Sequence, residues 1–135
     1  MTLLAVAALL AVPIMRVEAK EDSISYSFKL KPYYGEDSTG FRYRQTLNVN
    51  NCWKVDLAYS SEGAGTKATF FLGQQIYIFG LKIASEPYTI KQGTGAHYYP
   101  SYVNGLQTNV VLSAENNNYT ANTYNVSGYW DEEVN

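Results

Sequence analysis

The side chains of this 135-residue chain that could perform covalent chemistry are few. His97 is the single histidine and Cys52 is the single cysteine. A Cys–His pair, in which the imidazole activates the thiol as a nucleophile, could therefore be formed only by these two residues. Glycosidase chemistry needs two carboxylates across a cleft, and the candidates are Asp56, Glu62 and Glu115, with Glu115 and a second carboxylate such as Glu62 as the pair. A Gly-x-Ser-x-Gly elbow and a phosphate-binding glycine loop are both missing from the sequence. We therefore expect a protein without a catalytic set, and a small hydrolase is the alternative.

The composition contains few of the residues that bind metal ions, cofactors or nucleic acids. One histidine and one cysteine cannot build a zinc cluster within the chain. The acidic run Asp131–Glu133 lacks the spacing of a calcium loop and is interpreted as a solvated tail. A net charge of −2 offers no basic field to a nucleic acid. We predict no metal, no cofactor and no nucleic-acid partner.

Tyrosine and asparagine dominate the polar composition, with 13 and 11 residues respectively. Binding surfaces use these residue types, with serine and glycine, because aromatic rings give rigid contact area and amides give adaptable hydrogen bonds. Tyrosine is also a good strand former, so part of the excess has a structural explanation. The predicted aromatic platforms are Tyr98, Tyr99, Tyr102 and Tyr119. The predicted hydrogen-bonding side chains are His97, Asn116 and Asn117.

The elements that must position these side chains are β-strands. Apolar and polar residues alternate with a period of two in several segments, and glycine, asparagine and serine lie between them. This pattern predicts an all-β fold, a single antiparallel β-sandwich of the jelly-roll or immunoglobulin-like kind. No helix is predicted. The predicted core consists of Trp53, Val55, Leu57, Phe70, Leu72, Val110, Leu112, Val126 and Trp130.

Three segments allow more specific expectations. Arg42 to Val49 is a possible strand, with Tyr43, Leu47 and Val49 facing inward. Lys91 to Tyr102 contains two glycines and a proline and is predicted to be a long loop, in which binding residues would concentrate. The apolar segment from Ile76 to Ile83 is a candidate edge strand. We expect a monomer, or weak self-association through this edge with a Cys52–Cys52 bridge.

The N-terminal segment has the features of an export signal. Leu3 to Met15 is almost continuously apolar but too short to cross a bilayer as a helix, which takes about 20 residues. Val17, Glu18 and Ala19 then match a signal-peptidase site. We expect residues 1–19 to be a cleavable signal peptide and residues 20–135 to be the β-sandwich domain. The mature protein would be extracellular and free of the membrane.

Several motifs also resemble a known family. They are Arg42–Thr46, Trp53–Val55, Glu62–Thr66, Lys91–Tyr98, Ala114–Tyr119 and Val126–Glu133. Together they are similar to a family of small secreted bacterial proteins known only as a domain of unknown function. The resemblance runs from about Ser25 to Glu133 and implies export from a bacterium. It implies no activity.

The function expected from these observations is non-catalytic binding outside the cell. The near-neutral charge and the tyrosine and asparagine content favour a secreted β-sandwich protein that binds cell-envelope or environmental glycans. Its partner would be a polysaccharide or a cell-wall surface. The alternatives are a small secreted hydrolase that uses Glu115 with Glu62, and a secreted antimicrobial or competition protein.

Overall fold

The structure, a computed structural model, describes residues 22–76 and 80–134. The predicted signal peptide and its cleavage site lie outside the described residues, and so do residues 77–79 of the candidate edge segment. No helix in the described part of the chain is long and apolar enough to span a membrane.

Two antiparallel sheets are built from the alternating segments of the sequence. Sheet A has the strand order β1-β11-β4-β9, with β5 also paired to β11, and comprises β1 (Ile24–Leu30), β4 (Trp53–Asp56), β5 (Tyr59–Ser60), β9 (Ala96–Tyr99) and β11 (Tyr124–Asp131). Sheet B has the order β2-β10-β6-β7, with β3 also paired to β10 and β8 to β6. It comprises β2 (Asp37–Ser38), β3 (Arg42–Arg44), β6 (Lys67–Gln75), β7 (Leu81–Ile83), β8 (Tyr88–Lys91) and β10 (Thr108–Asn116). The all-β prediction is confirmed.

The inner faces of the two sheets pack together to form the core. The nine predicted core residues are all buried, and Trp53 and Trp130 are fully buried. Rings from both sheets meet, as where Tyr26 of β1 lies edge-on to Phe70 of β6 with ring centroids 5.8 Å apart. Edge-to-face packing of this kind is the favoured geometry for aromatic pairs. A short 3-10 turn at Val103–Gly105 is the one helical element in residues 22–76 and 80–134.

The prediction of a long loop from Lys91 to Tyr102 is wrong for Ala96–Tyr99, and Lys91 is the last residue of β8. Gly93 and Gly95, both with φ of +80°, confine the turn to its first half. Ala96–Tyr99 then forms β9, which pairs with β4. The strand forms because alternate residues of β9 face the core side of sheet A beside β4.

The interpretation of Arg42 to Val49 is also wrong. The strand ends at Arg44, and its alternation is the reverse of the expected one. Tyr43 is 52 % exposed and Leu47 75 % exposed, whereas Arg44 is fully buried. The Arg44 guanidinium can lie inside because it donates hydrogen bonds to the backbone carbonyl oxygens of Glu132 and Asn51.

The acidic C-terminal run is not a solvated tail. Asp131 and Glu133 are buried. The Glu133 carboxylate accepts hydrogen bonds from the backbone N–H groups of Gln45 at 3.1 Å and Thr46 at 2.9 Å. Asp131 accepts one from the Asp22 N–H at 2.6 Å. We call Arg44, Asp131 and Glu133, with the backbone groups they bind, the charged network.

Candidate functional site

The predicted binding residues fall into two separate regions of the molecule. His97, Tyr98 and Tyr99 lie on β9, at the edge of sheet A. Asn116 ends β10 in sheet B, and Asn117 and Tyr119 follow it. Tyr102 begins the 3-10 turn after β9. The seven residues therefore do not form one site.

The region around β9 closes one open side of the sandwich. Tyr99 of sheet A stacks on Tyr88 of sheet B, with ring centroids 3.6 Å apart and ring planes 6° apart. Trp53 lies 5.4 Å from the Tyr99 ring on its core side. Burial raises the pKa of both Tyr88 and Tyr99. Because Tyr99 packs against these rings, we interpret it as part of the fold.

The other predicted residues of this region have local partners. His97 Nε2 lies 2.8 Å from the Thr94 hydroxyl oxygen. The Cys52 thiol contacts the Asn50 carbonyl oxygen at 3.5 Å. The His97 imidazole and the Cys52 thiol thus each contact a residue close in sequence, and not each other. Tyr98, next to Tyr99 on the same strand, is 53 % exposed.

Tyr102 keeps a more specific contact. Its hydroxyl forms a hydrogen bond with Glu86, and this bond, more than any other influence, raises the pKa of Tyr102. The Tyr102 side chain is 37 % exposed. Tyr102 therefore offers a smaller exposed surface than Tyr119 near the end of β10, which is 65 % exposed.

Three tyrosines form a second aromatic cluster beside the end of β10. The Tyr119 ring lies 5.0 Å from the Tyr33 ring and 5.3 Å from the Tyr34 ring, measured between centroids. Tyr33 is 57 % exposed, Tyr34 44 % and Tyr119 65 %. We call these three residues the tyrosine platform. It presents connected aromatic area to solvent, unlike the stack at β9.

A strained turn holds two of these rings in place. Tyr33 and Tyr34 have φ of +54° and +61°, a left-handed conformation that costs a non-glycine residue about 1–2 kcal/mol. The turn is fixed by the Tyr33 N–H, which donates to the Thr120 carbonyl oxygen at 2.9 Å. It also requires Gly35, because a Cβ there would lie 2.6 Å from Lys31 Cβ. Strain of this kind concentrates at functional sites, so it points to a role for the platform.

Sequence reasoning identified Tyr119 but missed Tyr33 and Tyr34. The signal that could have found them is the run Pro32-Tyr33-Tyr34-Gly35, in which two turn residues enclose an aromatic pair. Turns lie at the protein surface, so an aromatic pair at the centre of one is a candidate for exposure.

Asn116 and Asn117 support the platform region through hydrogen bonds. Asn116 is buried, and its side chain accepts from the Asn118 N–H at 2.9 Å and donates to the Thr120 hydroxyl at 3.3 Å. It therefore positions the loop that carries Tyr119. Asn117 Oδ1 accepts from the Thr89 hydroxyl at 3.2 Å.

A row of polar side chains extends from this loop across the outer face of sheet B. The hydroxyl oxygens of Thr69 on β6 and Thr89 on β8 lie 3.1 Å apart. Glu115 on β10 is the register partner of Thr69. With Asn117, these side chains give the sheet face a line of hydroxyl, amide and carboxylate groups next to the platform.

A groove with an apolar floor lies on the same face. It has a volume of about 270 Å³ and is lined by Glu36, Phe71, Gly73, Leu81, Ile83, Pro87 and Glu115. We call it the outer groove. Burial, and then the negative charge of Glu36, raise the pKa of Glu115. The carboxylate beside Glu115 is thus Glu36, whereas the charge of Glu62 acts on the Tyr124 phenol.

Metal chemistry finds no support in the described residues. No group of three or more histidine, cysteine, aspartate or glutamate side chains in residues 22–76 and 80–134 could hold a metal ion. The chemistry available at the outer face of sheet B is therefore that of aromatic, hydroxyl, amide and carboxylate groups.

Comparison with known proteins identifies the family of the chain. No curated protein matches it. One solved structure, described as "Crystal structure of PirA", is similar with 10 % identity and a TM-score of 0.44, over 78 % of this chain and 92 % of that chain. The family described as "Protein of unknown function (DUF2712)" matches residues 12–134, in agreement with the resemblance of the sequence motifs. The chain therefore belongs to the DUF2712 family of proteins of unknown function.

Proposed function

We propose that the protein is a non-catalytic module that binds a polysaccharide outside the cell, with the tyrosine platform as its principal contact surface. The observation that carries this proposal is the platform itself. The exposed Tyr119 ring contacts the exposed rings of Tyr33 and Tyr34, and a left-handed backbone holds the latter two. Flat aromatic faces suit the C–H side of sugar rings, which is apolar.

The surroundings of the platform support a hydroxyl-rich ligand. Thr69, Thr89 and Asn117 provide groups that both donate and accept hydrogen bonds. They lie on an open sheet face rather than in an enclosed cavity, so the face can accommodate an extended chain. A linear polysaccharide presents repeated hydroxyl groups along such a surface.

Export of the protein is part of the same proposal. The short apolar run and the Val17-Glu18-Ala19 site support cleavage after Ala19. The mature protein recovered from the medium should begin at Lys20 when its N-terminus is sequenced. A chain that keeps Met1 and stays inside the cell would contradict the export proposal while leaving binding to be measured separately.

Binding to insoluble polysaccharides and cell-wall preparations tests the platform. We expect the double variant Tyr33→Ala/Tyr119→Ala to bind at least about tenfold more weakly than wild type, because truncated aromatic contacts at the centre of an interface commonly have effects of this size. Tyr129→Ala is the matched control, since Tyr129 is 55 % exposed on the outer face of sheet A. The proposal is wrong if no polysaccharide binds, or if both variants bind like wild type.

A hydrolase is the second candidate, favoured by one observation. Glu115 has a raised pKa and lies beside Glu36 in the outer groove, and a glycosidase needs one carboxyl protonated and one ionised. Chromatography of the polysaccharide after long incubation separates the two functions. A binding module leaves the chain length unchanged, whereas a hydrolase produces shorter chains, and Glu115→Gln would then abolish them.

A further inference from the structure

The tyrosine platform and the outer groove are continuous along the surface. The register places Asp37 of β2 opposite Ala114 of β10. The Tyr33 N–H reaches the Thr120 carbonyl oxygen, so the chain from Tyr33 to Asp37 runs alongside the chain from Ala114 to Thr120. Glu36 is therefore the neighbour of Glu115, and it is two residues from Tyr34, which places their Cα atoms within about 7 Å. A ligand on the platform lies next to both carboxylates.

Neither carboxylate forms an ion pair within the described residues. The ion pairs found there are those of Arg42 with Asp22 and with Glu132, on another part of the molecule. The charge that acts on Glu115 is the negative charge of Glu36, and Phe71 forms the apolar floor beside them. Two like charges against an apolar surface repel each other, and a cation between them would relieve that repulsion.

The groove therefore differs from the platform in what it selects. Aromatic rings and hydroxyl groups fit many neutral sugars equally well. Glu36 and Glu115 favour a ligand with a positive charge, and they disfavour anionic polymers, in agreement with the net charge of −2. An ammonium group has three donors and can bind both carboxylates at once.

Resting on the proposed function, we propose that the ligand is a polysaccharide of amino sugars with free ammonium groups. One ammonium group would lie between Glu36 and Glu115, and the next sugar ring would pack on the tyrosine platform. An N-acetyl group at the same position is neutral and cannot form the charge-assisted hydrogen bonds. The selectivity of the protein would then come from the groove and its general affinity from the platform.

Three soluble hexasaccharides test this inference, because they share β-1,4 linkages and differ only at carbon 2. They are the hexamers of glucosamine, N-acetylglucosamine and glucose. Titration calorimetry with the mature protein should show at least about tenfold tighter binding of the glucosamine hexamer, which is the usual size of a charge-assisted hydrogen bond. The preference should decrease as ionic strength rises.

Variants identify the groups responsible. In Glu36→Gln/Glu115→Gln, the preference for the glucosamine hexamer should disappear, while circular dichroism stays that of wild type. The matched control is Glu62→Gln, an exposed carboxylate in the turn after β5, which should keep the full preference. Hexalysine serves as a second probe, because it carries ammonium groups without sugar rings and should bind more weakly than the glucosamine hexamer.

The outcomes separate this inference from the proposed function. Tyrosine-dependent binding that is equal for the charged and neutral hexamers would retain the binding module and overturn the amino-sugar assignment. So would a preference that survives in the double glutamine variant, or hexalysine that binds as tightly as the sugar. Binding of none of the hexamers overturns the inference, whereas the proposed function is decided separately by the binding of insoluble polysaccharides and cell walls and by its dependence on the platform tyrosines.

Discussion

The charged network and the tyrosine platform use their functional groups in opposite ways. In the charged network, Arg44, Asp131 and Glu133 are buried and bonded to backbone groups from distant parts of the chain. In the platform, Tyr33 and Tyr34 are exposed and held in a strained backbone. In the charged network, charged side chains stabilise the fold through hydrogen bonds to the backbone. In the tyrosine platform, a backbone conformation of high energy is maintained although its side chains are largely exposed.

This difference changes how the family motifs are understood. The motifs Arg42–Thr46 and Val126–Glu133 meet in the charged network, through the bonds of Glu133 to Gln45 and Thr46. Their polar residues thus have a structural explanation. The Pro32–Gly35 turn lies outside both motifs and carries two of the platform rings. Of the residues proposed to bind a ligand, Tyr119, Glu115 and Asn117 thus belong to a family motif, whereas Tyr33, Tyr34 and Glu36 do not.

The largest expected effect comes from breaking the charged network. Arg44→Ala removes the donors to the carbonyl oxygens of Glu132 and Asn51, and it removes the positive charge that acts on the Glu133 carboxylate. An acceptor left without its donor costs about 1–3 kcal/mol, or about 2–6 kcal/mol for the two carbonyl oxygens. We expect the free energy of unfolding in urea to decrease by that amount.

Lys29→Ala is the control for this substitution. Lys29 is exposed on β1, and its removal should change the free energy of unfolding by less than about 0.5 kcal/mol. A loss below about 1 kcal/mol in Arg44→Ala would show that the network is dispensable. Variants that do not fold when expressed would agree with the expectation, provided that Lys29→Ala folds normally.

A smaller effect should follow from the pH dependence of Glu132. Burial raises the pKa of Glu132 to about 7 from 4.5, against the opposing influence of Arg42 at 2.6 Å. The folded protein then binds more protons than the unfolded chain between these pH values, so stability falls as pH rises through this window. We expect wild type to lose roughly 1–3 kcal/mol between pH 4.5 and 7.5 relative to Glu132→Gln.

Urea unfolding of both proteins across that window measures the difference. Glu132→Gln cannot titrate at this position, so the subtraction removes the contribution of the other carboxylates. A difference that stays constant with pH would mean that Arg42 keeps Glu132 ionised throughout. The charged network would then be joined to Arg42 by a permanent ion pair.

The sequence predicted the core well and the two contrasting regions only in part. Trp53, Phe70 and Leu112 were found because a period of two with one buried face is a local property of a strand. Arg44 was placed on the wrong face because Glu132, whose carbonyl oxygen it binds, is 88 residues away. Local pattern cannot show a partner at that distance.

The candidate site was found in part for the same reason. Tyr119 follows a recognisable asparagine turn, so its exposure could be predicted. Tyr33 and Tyr34 contact it only through the fold, and tyrosine has no local preference for a left-handed backbone. His97 and Tyr99 were selected as loop residues, and the pairing of β9 with β4 that corrects this is again a long-range contact.

The smallest expected change in stability is that of Tyr34→Gly, which tests whether the strained turn serves ligand binding or the stability of the fold. Tyr34→Gly relieves a left-handed backbone, a gain of about 1–2 kcal/mol, but it loses a ring contact with Tyr119 worth about 0.5–1.5 kcal/mol and makes the unfolded chain more flexible. These contributions nearly cancel, so the free energy of unfolding should stay within about 1 kcal/mol of wild type. Tyr129→Gly, at an exposed position within β11, has no strain to relieve and should destabilise the protein by about 1 kcal/mol or more.

Polysaccharide binding should follow the opposite order, with a loss in Tyr34→Gly and none in Tyr129→Gly. If Tyr34→Gly is instead the more destabilising of the two and binds like wild type, the turn is a structural element and the platform is not the binding surface.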